Sequence, residues 1–81
     1  MSQKEAFKLN YPIEVDSIET DTLHLRRITV TDLEAQQVEK TELGKSILLV
    51  SRISGVSPAA IRTMDAADFN KLADKVVGFL E

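Results

Sequence analysis

From Phe7 the chain alternates: Phe7, Leu9, Tyr11, Ile13 and Val15 are apolar, and Lys8, Asn10 and Glu14 between them are polar. A period of two puts the apolar set on one face, so this segment predicts a half-buried β-strand. Pro12 falls on the outward parity and has no N–H for a ladder, which places it at a sheet edge or a bulge. Asp16 to Asp21 is polar except for Ile18 and reads as a hairpin connection. The return strand is then expected from Thr22 to Ile28, with Leu23, Leu25 and Arg27 on one face and His24 and Arg26 on the other. A two-stranded hairpin is marginal alone in water, so its apolar face needs a cover.

That cover is predicted to be helical. Thr31 and Glu34 have the spacing of a capping box, which starts a helix from Asp32 to about Glu39 with few apolar residues, Leu33, Ala35 and Val38. From Thr41 or Glu42 to about Ser54 the apolar set Leu43, Ile47, Leu48, Leu49, Val50 and Ile53 is too broad for one stripe. It predicts a central helix in contact on two sides, closed by Gly55 in a left-handed conformation. Ser57 and Pro58 form a second start signal, with Ser as cap and Pro at the first helical position, for a short helix to about Thr63. Asp65 caps the last helix, where Phe69, Leu72, Ala73, Val76 and Leu80 recur at steps of three and four. The expected fold is α+β: an N-terminal β-hairpin over about residues 6–28, then a small bundle of three or four helices over about 32–80, in one domain of residues 1–81.

Composition narrows the function. A chain of 81 residues without cysteine can form neither a disulfide nor a thiolate metal site, and its thin core must rely on apolar packing or self-association. Ten basic residues stand against thirteen acidic ones, for a net charge of −3. Residues 1–40 carry 5 basic and 8 acidic side chains and residues 41–81 carry 5 of each. This balance argues against binding nucleic acid through its backbone, which needs clustered Lys or Arg. The start of the chain lacks an apolar leader, and the longest apolar run, Ile47 to Val50, is far too short for a membrane span. A cytoplasmic protein without membrane attachment is expected.

Few residues invite chemistry. His24 is the sole imidazole and falls on the wet face of its strand. Glycines 44, 55 and 78 are too scattered to cradle a phosphate. Asp65 and Asp68 could act as paired carboxylates, but their spacing also fits a helix cap and its third-position neighbour, which the helix dipole favours. No catalytic, metal-binding or cofactor-binding residue is assigned, and no cofactor or enzymatic activity is expected. Ile47 to Ile61 resembles a helix-turn-helix around Ser54-Gly55-Val56-Ser57, which makes a small DNA-binding regulator the alternative. Against it, the second helix would offer Asp65 and Asp68 to phosphates. Arg26-Arg27 is the one adjacent basic pair; it either holds an acidic partner segment or leaves one arginine paired with Glu14 or Asp32 and the other solvated.

Taken in order, several segments resemble one family. Phe7-Lys8-Leu9, Tyr11-Pro12-Ile13-Glu14-Val15-Asp16, Leu23-His24-Leu25-Arg26-Arg27 and Thr31-Asp32-Leu33 are similar to the opening of the small tail assembly chaperones of Mu-like and P2-like phages. Leu49-Val50-Ser51-Arg52-Ile53-Ser54-Gly55-Val56-Ser57-Pro58, Met64-Asp65, Asp68-Phe69 and Val77-Gly78-Phe79-Leu80 are similar to its closing pattern. The chain departs from that pattern at Ser17, where the family's hairpin turn has glycine, and at Ile28, where proline follows the paired arginines.

The resemblance implies a non-catalytic protein of a phage or prophage. It would bind the long, largely helical tape measure protein during assembly of a contractile tail and keep it soluble until tube subunits polymerise around it. It also implies a longer form of this chain made by ribosomal frameshifting as a second partner; a homo-oligomer is a further expectation. A structural subunit that stays in the tail is another alternative. A chaperone for amphipathic helices needs accessible apolar surface. Leu48, Val56, Ile61, Met64 and Val77, off the main stripes, are the candidate contacts, with Arg26 and Arg27 for acidic groups.

Overall fold

The computed structural model describes residues 5–79. They form two strands and four helices: β1 (Glu5–Val15), β2 (Ile18–Leu25), α1 (Val30–Gln36), α2 (Glu42–Ser54), α3 (Pro58–Ile61) and α4 (Ala66–Gly78). This is the α+β hairpin-and-helices arrangement predicted. The first four residues and Leu80 of the expected α4 stripe lie outside the described residues.

The hairpin is tighter than expected. Its connection is Asp16-Ser17 rather than Asp16 to Asp21, and β2 begins at Ile18 and ends at Leu25 rather than spanning Thr22 to Ile28. Asp16 and Ser17 have φ of 53° and 67°, the positive values that a two-residue hairpin turn matching strand twist demands of both central positions. Without glycine there the sequence carries little of that signal.

The two strands pair antiparallel at both ends and lose register in between. Lys8 faces Thr22 and Ile13 faces Thr20, so the four residues Leu9 to Pro12 stand opposite the single residue Asp21. Pro12 therefore marks a bulge, one of the two places its missing N–H allowed. The surplus residues break the alternation. Leu9 and Ile13 are buried as predicted, whereas Tyr11 is turned outward and 63% exposed. Arg27 lies beyond the end of β2 and is exposed, so it shares no strand face with Leu23 and Leu25.

The helices cover the inner face of the hairpin. Leu9, Ile13, Leu23 and Leu25 meet Val50 and Ile53 of α2 and Leu72 and Val76 of α4 in one core cluster. As its broad apolar set required, α2 packs against β2, α1, α3 and α4. The caps fall where the sequence placed them at Gly55, Ser57 and Asp65, and of the two expected starts for α2 the helix takes Glu42, with Thr41 as its cap. Gly55 has φ 75° and its N–H donates to the Ser51 carbonyl, which ends α2. Ser51 Oγ then donates to the Val56 carbonyl at 2.6 Å and fixes the step into α3.

One cap is corrected. The capping box of α1 is formed by Thr29 and Asp32, not by Thr31 and Glu34, and the helix starts at Val30 rather than Asp32. The sequence Thr29-Val30-Thr31-Asp32-Leu33-Glu34 holds two overlapping boxes, and tertiary contacts to Asp32 select the first.

Candidate functional site

Those contacts centre on a buried carboxylate. Asp32 is 0% exposed and accepts from Arg26 Nη1 at 2.7 Å, Arg26 Nη2 at 2.9 Å and Arg52 Nε at 2.8 Å. Its Oδ2 also accepts the Thr29 N–H at 2.8 Å. The fork of Arg26 matches both carboxylate oxygens, the strongest geometry such a pair adopts. Arg26 is the main cause holding the Asp32 carboxyl well below the usual carboxylate range. Burial opposes it, and Thr29 and Arg52 add to it. The same hydrogen bond raises the Arg26 guanidinium above its ordinary value. Together with the Arg26 N–H donated to the Ile53 carbonyl at 3.1 Å, this ties the end of the hairpin to α1 and α2. Of the two readings of the arginine pair, Arg26 follows the structural one, with Asp32 rather than Glu14 as partner.

The other acidic pair is structural in its contacts as well. Asp65 Oδ2 accepts the Ala67 and Asp68 N–H groups as the cap of α4. Asp68 is buried, and its Oδ2 accepts the N–H of Tyr11 at 3.0 Å. The bulge frees that amide from the ladder and α4 supplies the acceptor. His24 is exposed, and among the described residues no group of three or more His, Asp or Glu side chains could hold a metal ion. No helix among them is long and apolar enough to cross a membrane.

The seven candidate contacts scatter. Val56, Ile61 and Met64 are buried in the core cluster, Leu48 is half-buried, and Val77 is 57% exposed on α4. Arg27 is exposed and makes no ion pair among the described residues, while Arg26 is held by Asp32. Ile61 and Met64 nevertheless both line an apolar groove of about 270 Å³. Leu43 and Ile47 of α2 and Ala66 and Phe69 of α4 line it as well. Arg62, which is exposed, also lines it. A larger hollow of about 470 Å³ lies between the base of the hairpin and the end of α4, lined by Glu5, Arg26, Arg27 and Lys75 around Leu25 and Phe79. Its charges are mostly matched: Lys75 pairs with Glu5 at 3.5 Å and Arg26 with Asp32.

Sequence reasoning missed Leu43, Phe69 and Arg62 as members of a surface. The first two count toward the apolar sets of α2 and α4, and Arg62 carries a charge that no local pattern ties to them. The available signal was the surplus breadth of the α2 apolar set, because Leu43 is the member that the core leaves 61% exposed. For a DNA-reading helix, α3 offers a single turn, Pro58–Ile61, capped at Arg62.

These elements define a small α+β domain, a bulged hairpin covered by helices and carrying an open apolar groove. A family model described as phage tail assembly chaperone proteins, E, or 41 or 14 matches residues 6–81, and the chain belongs to that family. Membership implies a non-enzymatic role. No curated protein and no solved structure matches the chain.

Proposed function

We propose that this chain binds the tape measure protein of a contractile phage or prophage tail in the host cytoplasm and keeps it soluble until tube subunits enclose it. The observation that carries this reading is an apolar groove left open on a domain that belongs to the tail assembly chaperone family. A long helical protein awaiting its tube exposes apolar stripes, and an open groove of this kind is how one domain covers a stripe on another chain.

The test is co-expression with the long protein of the same tail gene cluster, followed by size-exclusion chromatography. The expected outcome is a soluble long protein that co-elutes with this chain and sediments when expressed alone. An equally insoluble long protein in the presence of the folded domain would sink the short form as a sufficient chaperone. The frameshifted longer form would then be tested. Detection of the chain in purified mature tails would instead favour a structural subunit.

A further inference from the structure

We infer that the groove between α2, α3 and the start of α4 is the client site, and that it takes an amphipathic helical segment bearing a carboxylate beside its apolar anchor. This rests on the tape measure reading and adds where the client sits and what chemistry it presents.

Three observations carry it. First, the exposed Leu43 lines the groove together with Ile47, Ile61, Met64 and Phe69, so an apolar side chain entering it meets apolar side chains from α2, α3 and α4. Met64, unbranched and polarisable, adapts to different anchors. Second, the residues lining the groove come from α2, α3, α4 and the short links between them, and neither hairpin strand contributes to it. A client therefore finds no strand edge to pair with and must satisfy its own backbone, which a helix does.

Third, Arg62 is exposed, lines the groove, and makes no ion pair or side-chain hydrogen bond among the described residues. Arg26 and Arg52, in contrast, are both held by Asp32. The nearest acid in sequence, Asp65, is turned toward the amides of α4. Arg62 is thus a guanidinium beside an apolar cleft, suited to a bidentate carboxylate. Because the chain as a whole carries −3, attraction of an acid is local to this point, and it sets the register of the helix in the groove.

The inference is tested with overlapping peptides of about 20 residues, roughly 30 Å when helical, covering the tape measure protein of the same cluster and titrated with the full chain by fluorescence anisotropy. Leu43→Glu and Arg62→Glu change exposed side chains, and circular dichroism melts establish that both variants fold. The expected result is one or more acidic, helix-forming peptides whose binding each variant weakens at least about tenfold, while Ile18→Glu on the hairpin changes it less than about twofold. Replacing the peptide's acid by lysine restores binding to Arg62→Glu and weakens binding to the unaltered chain.

Peptides that bind the unaltered chain and both groove variants equally would overturn this site and leave the tape measure reading standing. The site is also overturned if Leu43→Glu alters only self-association, since the groove then covers a second copy. No association of the unaltered chain with any peptide or with the co-expressed long protein would remove the tape measure reading, and this inference with it.

Discussion

The two ends of the hairpin are built on opposite terms. At the base, Asp32 is sealed from water and its oxygens are filled by Arg26, Arg52 and Thr29. At the tip, two residues other than glycine hold positive φ, and Glu14 faces Glu19 directly across the strands. Left-handed backbone costs an ordinary L-residue roughly 1–2 kcal/mol, and like charges opposite each other in a ladder repel. The base thus concentrates favourable contacts where three elements meet, and the tip tolerates unfavourable ones at exposed residues. Local strain is affordable at a solvated turn because the register is already set by Val15 opposite Ile18 and by the buried residues behind it.

Removing the base contact is the largest expected perturbation. Asp32→Ala leaves two guanidinium groups without their partner and removes the carboxylate half of the α1 capping box, and is expected to cost about 3 kcal/mol. That is a large share of the roughly 4–12 kcal/mol a domain of this size holds, and urea unfolding measures it.

Acid reaches the same contact without mutation. The folded carboxyl of Asp32 titrates below its unfolded value, so its contribution is fully present above about pH 4 and is lost as pH falls further through the folded value. Melting temperature should therefore drop between about pH 4 and pH 2, and the drop should be shallower in Asp32→Asn. An identical pH slope in that variant would show that other carboxylates govern acid unfolding.

Asp68→Ala, which takes the acceptor from the Tyr11 amide, is expected to cost about 2 kcal/mol. At the tip the signs reverse. Ser17→Gly should stabilise by about 1 kcal/mol, because glycine adopts positive φ freely. Glu19→Lys should add about 0.5 kcal/mol by turning a repulsive cross-strand pair into an attractive one. If both tip substitutions prove neutral or destabilising, the contrast between the two ends fails.

The helical half was the more legible in the sequence because its signals are local. Thr41, Gly55, Ser57-Pro58 and Asp65 each act on amides or carbonyls within a few residues, so their positions alone locate the helix ends. The hairpin was legible as a hairpin, but its details depended on partners far along the chain. Two capping boxes overlap at Thr29 to Glu34, and only the arrival of Arg52 from α2 beside Arg26 decides that Asp32 is the buried member. Asp68 carried an adequate local explanation as a first-turn acid of α4, which hid its contact with β1. The groove was legible only as excess: an apolar set too broad for one stripe, without any indication of which member the core would leave outside.

The bulge also gives the molecule a built-in gauge. Tyr11 donates its amide to Asp68, a residue 57 positions away, and not to the neighbouring strand. Solvent exchange of that single amide hydrogen therefore follows the parting of α4 from the hairpin and is insensitive to fraying of the β-ladder. Comparing its exchange rate with that of a ladder amide separates undocking of the helix from unzipping of the strands in the unmodified chain.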